Sequence, residues 1–169
     1  MTVCETDRLL LRQLTPDDAE VMLALLNDSG FLRYIGDRGV RTLDDARGYI
    51  RDRIISTYEQ HGFGMYLVVR RSDGEPVGIC GLVKRDALED VDLGYALLSE
   101  HRGSGYARES AQAVLALAHD AFGLKRIVAI VQPDNADSIR LLENLGMTRE
   151  RLIRLKADAP EVLLYGYRA

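Results

Sequence analysis

The stretch from Val91 to Arg108, VDLGYALLSEHRGSGYAR, decides the fold of this chain. Val91–Leu98 is apolar with β-favouring residues, which predicts a strand. Ser99–Gly105 is small, polar and glycine-bearing, which predicts a loop. From Tyr106 to Phe122 the apolar residues recur at three- and four-residue spacing, as on one face of a helix. A strand, a glycine loop and a helix are therefore predicted in direct succession.

The predicted loop has the features of a phosphate-binding site. A loop between a strand end and a helix start presents unpaired backbone N–H groups toward one point, and the helix dipole adds positive potential there. Arg102 and Arg108 flank these amides, so both are candidates for pairing with a diphosphate. The spacing excludes a Rossmann fingerprint, because Arg108 stands where Gly or Ala is required, and the Gly-Lys-Ser/Thr of a P-loop is absent. A tight connection without a ligand stays open from this stretch alone.

The same stretch resembles a known family. Arg102-x-x-Gly105-x-Ala107 is similar to the pyrophosphate loop of the GNAT acetyltransferases, Gln/Arg-x-x-Gly-x-Gly/Ala. With Gly94–Leu98 and Glu109 added, the string resembles the RimJ/RimL branch, which contains amino-terminal acetyltransferases of ribosomal proteins. The resemblance implies acetyl-CoA as co-substrate. It places the cofactor against the backbone amides of Leu97 and Leu98 and against the loop residues Arg102, Gly103, Ser104, Gly105, Tyr106, Ala107 and Arg108.

A second segment, Asn135–Met147, carries the resemblance further. It is similar to the GNAT pattern Asn-x-x-Ser/Ala-x-x-Leu-x-x-x-x-Gly-Phe, which implies that Asn135 and Ser138 contact the cofactor. Many family members have Tyr at the position of Leu142, and that Tyr is thought to protonate the departing thiolate. In the RimJ/RimL branch a serine matching Ser138 is the candidate acid instead. Two local alternatives stay open: Asn135 as a helix cap only, and a Ser138 hydroxyl bonded to nearby backbone.

The remaining site residues concern the base and the acceptor. Asp92 is the candidate general base, because it stands on the central strand ahead of Gly94, where the branch often has an acid; Glu89 and Asp90 are alternatives in the preceding loop. Residues 31–40 are predicted to be irregular, with exposed Phe31, Tyr34 and Ile35. The resemblance places Phe31, Tyr34 and Tyr95 on the acceptor side.

Composition limits the function classes. The net charge of −4 gives no general basic surface, which argues against nucleic-acid binding and favours a cationic or amine substrate. Cys4 and Cys80 are too few for a disulfide framework or a zinc site, which fits a reduced cytoplasmic setting. No stretch is apolar enough for a membrane span, the N-terminal residues lack a signal-peptide core, and the three histidines match no metal spacing. We therefore expect no metal, no membrane partner and no nucleic-acid partner.

The whole chain predicts a single α/β domain over residues 1–169 with a mixed sheet and helices on both faces. The predicted order is β-α-α-β-β-β-α-β-α-β-β, which is the order of the GNAT fold. That fold has two parallel central strands that splay apart around the cofactor's pantetheine arm, here Val91–Leu98 and Arg126–Val131. The other predicted strands are Arg8–Leu14, Met65–Arg70, Val77–Lys84, Met147–Leu155 and Val162–Tyr167, and the other predicted helices are Ala19–Leu26, Thr42–Gln60 and Ser138–Leu145.

These observations favour an N-acetyltransferase that moves an acetyl group from acetyl-CoA to a primary amine, either a protein N-terminus or a small molecule. One alternative is an acyl-CoA-binding sensor or interaction module without turnover, because the tyrosine expected at Leu142 is missing. Another is a nucleotide-binding protein that uses the same loop for ATP or NAD. The sequence leaves the acceptor and the oligomeric state, monomer or homodimer, open.

Overall fold

The computed structural model describes residues 1–168. These residues form one eight-stranded sheet in the order β1-β2-β3-β4-β5-β6-β8-β7, in which β5 and β6 are parallel and all other neighbours are antiparallel. The predicted mixed sheet is confirmed. The strands are β1 Thr2–Glu5, β2 Leu9–Gln13, β3 Met65–Arg70, β4 Pro76–Val83, β5 Asp92–Leu97, β6 Arg126–Val131, β7 Thr148–Ile153 and β8 Val162–Arg168.

The helices begin where the sequence supplies caps. Thr15 and Thr42 each form a capping box with the aspartate three residues later. The predicted helix from Thr42 to Gln60 contains a π-helical piece, Ile50–Ile55, between two α-helical pieces. The helices are α1 Ala19–Leu26, which follows a 3₁₀ turn at Pro16–Asp18, α2 Ser29–Tyr34, α3 Leu43–Tyr49, α4 Ser56–His61, α5 Tyr106–Asp120 and α6 Ala136–Asn144.

Two elements were not predicted. The first is β1, which is short and only half-buried, so it shows no alternation of apolar and polar residues. The second is α2, which occupies part of the segment expected to be irregular. It has six residues, too few to show a helical period, and it is held by the cap of Asp28 and by burial of Phe31. Both elements depend on tertiary contacts rather than on their own sequence pattern.

Helices cover the sheet on both faces. On one face α5 and α6 pack against β2–β6 through a large cluster that includes Leu93, Val114 and Leu142. On the other face α1, α2, α3 and the π-helical piece pack against β3 and β4 through a second cluster that includes Met22 and Ile79. A residue of β5 therefore faces one helical layer or the other by simple alternation.

The two parallel strands separate soon after they start. β5 pairs with β4 along its whole length, from Asp92–Val83 to Leu97–Gly78. Its pairing with β6 is limited to Asp92 and Val128, together with the bond from the Val128 N–H to the Val91 carbonyl at 3.0 Å. Beyond this point the carboxyl ends of β5 and β6 diverge, and they lead into the glycine loop and the Asn135 turn respectively.

Candidate active site

The glycine loop presents an unusual run of free amides. Gly103 and Gly105 have φ of +84° and +82°, a conformation that L side chains rarely adopt. With this geometry none of the backbone N–H groups of residues 103–108 has an acceptor within residues 1–168, and the first bond of α5 is the one from Glu109 N–H to Gly105 O. Six successive amides at a helix start form a ready anion site, and the exposed Arg108 side chain lies beside them.

The outer side of this loop is held by Arg8. Its Nη1 donates to Ser104 O at 2.8 Å, its Nε donates to Glu109 at 2.7 Å, and its guanidinium lies 4.7 Å from the centre of the Tyr106 ring. Glu109 also accepts hydrogen bonds from the Arg8 N–H and from the Thr6 hydroxyl. Burial alone would raise the pKa of Glu109, but these hydrogen bonds outweigh it and hold the pKa below its usual value. The β1–β2 turn thus fixes the start of α5.

The inner side of the loop is held by Arg102. Its Nη2 donates to Asp28 Oδ1 at 2.5 Å and to Leu97 O at 3.1 Å, and its guanidinium lies over Gly30. The side chain expected to pair with a diphosphate is therefore engaged with a carboxylate from the opposite helical layer. The loop amides and Arg108 are available to an anion, and Arg102 stays a predicted contact, since its side chain is 44% exposed and these bonds use only Nη2.

The edge of β5 that faces the divergence offers further amides. The Leu98 N–H donates to Val77 O at 3.0 Å, so Leu98 pairs with β4 and does not offer the amide expected of it. Hydrogen bonds alternate along an antiparallel ladder, so the N–H groups of Tyr95 and Leu97 point the other way, toward β6. Leu97 stays a predicted cofactor contact, whereas the amide expected from Leu98 is already bonded to β4.

Ser138 and Tyr95 meet on the α6 side of the divergence. The Ser138 hydroxyl hydrogen-bonds to the Tyr95 hydroxyl, and the Ser138 N–H donates to Asn135 Oδ1 at 3.3 Å. Burial raises the pKa of Tyr95 to about 12, so its hydroxyl is protonated at neutral pH. Asn135 caps α6, and its side-chain NH₂ has no acceptor among residues 1–168. Leu142 is buried in the core of the same face.

Asp92 lies at the point where β5 and β6 separate. Its side chain is 1% exposed, one oxygen is 3.3 Å from Arg85 Nε, and Oδ1 has no partner among the described residues. Burial raises its pKa to about 6, although Arg85 opposes the shift. A buried carboxylate oxygen without a donor is costly, so this atom is a natural proton acceptor. Of the alternatives, Asp90 is paired with Arg126.

The acceptor-side expectations are partly corrected. Phe31 was expected to be exposed, but its side chain is 5% exposed and packs in the cluster beneath α1 and α3. A six-residue helix turns it inward, where it covers apolar surface. Tyr34 is half-buried with the Arg33 guanidinium 4.8 Å from its ring centre, and Ile35 is exposed. Tyr34 is the aromatic residue of this segment with a partly exposed side chain, so it stays a predicted substrate contact.

The structure thus brings the loop amides, the Tyr95 and Leu97 amides, Asn135 and Ser138 to one end of the divergence, with Asp92 at its closed end. A diphosphate with a long polar arm fits this donor set, since the loop amides suit the anion and the unpaired edge of β5 suits an amide chain. Phe31 and Leu98 stay outside the set. Within residues 1–168 no cluster of His, Cys, Asp and Glu is built to hold a metal ion.

Comparison with known proteins identifies the family of this chain. Residues 8–148 match the acetyltransferase (GNAT) domain family. The chain belongs to the GNAT acetyltransferase family. It is 32% identical over 153 residues to an uncharacterized N-acetyltransferase, YoaA, of Bacillus subtilis, covering 90% of this chain and 86% of YoaA.

Solved structures share the fold of this GNAT protein. An acetyltransferase from Agrobacterium tumefaciens has a TM-score of 0.84 and 27% identity, covering 100% of this chain and 95% of that chain. RimL, a ribosomal L7/L12 alpha-N-protein acetyltransferase solved in complex with coenzyme A, has a TM-score of 0.85 and 19% identity, covering 99% of this chain and 98% of RimL. The second likeness shows the fold alone. No helix within residues 1–168 has the length and apolar character needed to cross a membrane.

Sequence reasoning missed the residues that hold the loop from outside. Arg8 and Thr6 contact it from the far end of the chain, and Asp28 follows the predicted helix Ala19–Leu26 without a role assigned to it. A local signal did exist for Asp28, because Asp before Ser-Gly is also a good helix start. For Arg8 no local signal exists, because its partners lie about a hundred residues away.

Proposed function

We propose that this GNAT protein uses acetyl-CoA to acetylate a primary amine, either a protein N-terminus or a small-molecule amine, by direct attack of the amine on the thioester. The observation that carries the proposal is a pair of free amide sets, namely the Tyr95 and Leu97 N–H groups on β5 beyond its divergence from β6 and the N–H groups of residues 103–108. RimL, which shares the fold, was solved with coenzyme A. Positioning of two reactants is a large part of the rate acceleration that such a site can provide.

In this proposal the loop amides and Arg108 bind the diphosphate, and the backbone N–H groups of Tyr95 and Leu97 bind the pantetheine arm and the thioester carbonyl. Fixed N–H donors at the carbonyl oxygen stabilise the charge that develops there as the amine attacks. Asn135 is available to contact the cofactor through its free side-chain NH₂ while its oxygen caps α6.

Asp92 is the proposed proton acceptor. With a pKa of about 6 it is ionised at neutral pH yet basic enough to take a proton from an ammonium group, directly or through water. If Asp92 has this role, kcat/KM rises with pH through about 6 and levels off above it. A profile without this limb, or an Asp92→Asn variant with the wild-type profile, would exclude Asp92.

Ser138 is the proposed proton donor to the departing thiolate. Its hydroxyl is held by Tyr95, a neutral hydroxyl at any physiological pH, so the pair supplies a fixed O–H group. Leu142 is apolar and buried, so it takes no part in proton transfer. Tyr95 thereby acts by orienting Ser138, in addition to the substrate contact expected from the sequence.

The chemistry favours an α-amine acceptor. An α-amino group with pKa ~7.7–8.0 loses its proton at pH 7 at a cost of roughly 1 kcal/mol, whereas a lysine with pKa ~10.4 costs roughly 4.6 kcal/mol. A carboxylate as enclosed as Asp92 suits the easier deprotonation. The net charge of −4 also attracts a cationic acceptor.

The decisive experiment measures binding and turnover separately. Calorimetry with CoA and acetyl-CoA tests binding, and thiol release with a panel of small amines and short peptides tests turnover, with the N-acetylated form of each peptide as its control. The proposal expects binding of both cofactor forms and thiol release with at least one free amine. Absence of binding at millimolar acetyl-CoA would overturn it.

The same assay separates the alternatives. A non-catalytic sensor would bind acetyl-CoA and release no thiol across the panel. A nucleotide-binding protein would lose CoA binding in the presence of ATP or NAD. The proposal expects neither nucleotide to compete.

A further inference from the structure

The Asp28 carboxylate accepts more hydrogen bonds than the other carboxylates near the loop. It lies at the junction of α1 and α2, and its side chain is 9% exposed. Oδ1 accepts from the Gly30 N–H at 3.0 Å and from Arg102 Nη2 at 2.5 Å, while Oδ2 accepts from the Ser99 N–H at 3.0 Å and the Ser99 hydroxyl at 2.5 Å. Four donors therefore converge on one carboxylate, three of them from the segment that leads into the glycine loop.

The donors come from two parts of the chain that are distant in sequence. Gly30 belongs to α2, on the acceptor-side layer, whereas Ser99 and Arg102 belong to the connection between β5 and α5. Arg102 also contacts Leu97 O and lies against Gly30, where an added Cβ would lie 2.5 Å from Arg102 Nη2. Gly30 thus leaves just enough room for the guanidinium.

Electrostatics favour the ionised form of Asp28. Burial alone would raise its pKa, but the hydrogen bonds from Ser99, Arg102 and Gly30 outweigh it and hold the pKa below its usual value. The carboxylate is therefore charged at any physiological pH, and its bonds to Arg102 and Ser99 are charge-assisted.

We propose that Asp28 is a positioning residue that joins α2 to the cofactor loop, so that cofactor binding and the acceptor-side helix are energetically coupled. The inference depends on the proposed function, because the proposed function is what assigns CoA as the ligand of the loop. The contact with Arg102 fixes residues 99–105 before the ligand arrives, and the contact with Gly30 fixes the start of the helix that carries Tyr34. Coupling between two sites is reciprocal, so a cofactor that orders the loop also orders α2.

Three variants separate the coupling of the loop to α2 from the capping of α2 by Asp28. Asp28→Ser retains a helix-capping oxygen for the Gly30 N–H and removes the links to Arg102 and Ser99. Arg102→Gln keeps Asp28 and removes one link. Gly30→Ala changes neither partner and displaces the guanidinium through its new Cβ. The matched control is Asp37→Asn, which alters an exposed aspartate of the same segment that pairs with Arg41.

Two measurements test the inference, namely the Kd for CoA by calorimetry and hydrogen exchange of residues 27–41 with and without CoA. We expect each of the three variants to weaken CoA binding about tenfold, equal to about 1.4 kcal/mol. We expect CoA to slow exchange in α2 of the wild type and of Asp37→Asn, and to leave exchange in α2 unchanged in Asp28→Ser at saturating CoA. A purely structural role would not remove this ligand-dependent protection.

The outcomes are distinguishable. Failure of the wild-type protein to bind CoA would overturn the proposed function together with this inference. Normal CoA binding by the wild type with no protection of α2, or protection retained in Asp28→Ser, would overturn the inference alone. A double variant of Asp28→Ser and Arg102→Gln should be no weaker than either single variant, and additive losses would contradict the link between them.

Discussion

The proposed cofactor side and the proposed acceptor side of this protein are built by different means. The loop of residues 99–105 and the start of α5 depend on a short local pattern, two glycines at positive φ followed by an amphipathic helix. The acceptor-side segment, residues 28–40, has no such pattern and takes its shape from Asp28 and Phe31, whose partners lie elsewhere in the chain. The first region tolerates few changes of backbone conformation, whereas the second depends on packing and one ion pair.

The largest expected effect is a loss of kcat on substitution of Ser138, on the proposed cofactor side. Ser138→Ala should lower kcat by about 10²-fold or more, because a positioned proton donor contributes 10²–10⁴-fold, and it should leave the Kd for CoA nearly unchanged. Single-turnover thiol release measures the first quantity and calorimetry the second. Asp137→Ala, an exposed neighbour on α6, is the control. A loss of less than threefold would mean that water protonates the thiolate.

The next effect is expected at Phe31, on the acceptor side. Phe31→Ala should lower the free energy of unfolding by about 3–5 kcal/mol, because it removes a buried ring from the cluster beneath α1 and α3. Urea denaturation measures this loss. Tyr34→Ala should cost about 1 kcal/mol or less and should raise the KM for the acceptor instead. A Phe31→Ala protein with wild-type stability and a raised acceptor KM would show instead that Phe31 contacts the acceptor.

A smaller effect concerns Asp92, which lies between the two sides. Its folded-state pKa of about 6 stands above the usual 3.8, so the folded state holds its proton more tightly and the associated stability is lost as pH rises from about 4 to above 6. The shift corresponds to about 2–3 kcal/mol. Relative to Asp92→Asn, the wild type should therefore lose about that much unfolding free energy between pH 4 and pH 8.

This difference is measured by denaturation of both proteins across the pH range. Asp137→Asn, which changes an exposed carboxylate, should track the wild type at every pH. A constant gap between the wild type and Asp92→Asn would show that the buried carboxyl keeps an ordinary pKa.

The smallest effect tests the backbone of the cofactor loop. Gly105→Ala places a Cβ at φ of +82° and 3.3 Å from Arg8 Nη2, so it should cost about 1–2 kcal/mol, seen as weaker CoA binding. Gly48→Ala, in α3 at an ordinary φ, should leave CoA binding unchanged and slightly raise stability. Equal CoA affinity for wild type and Gly105→Ala would mean that the loop does not need its left-handed glycine.

The elements that could be predicted from the sequence are those with a local sequence pattern, as on the proposed cofactor side. β3, β6 and the start of α5 were predicted to the residue, because β3 and β6 are short continuous apolar runs and α5 has a clear helical apolar period after a glycine loop. Strand β1 and helix α2 were not, since both are too short for a period. The burial of Phe31 and the engagement of Arg102 by Asp28 also escaped prediction, because the partner of each is distant in sequence.

The sequence by itself determined the order of the central elements, the glycine loop and the family, since these depend on local periodicity and on residues a few positions apart. Tertiary structure decided which groups are free to act. It paired Leu98 with β4 and left the Leu97 amide facing the divergence, it buried Asp92 with one oxygen unpartnered, and it brought Tyr95 to Ser138. These outcomes follow from how strands and helices meet across the sheet, and no local pattern encodes that meeting.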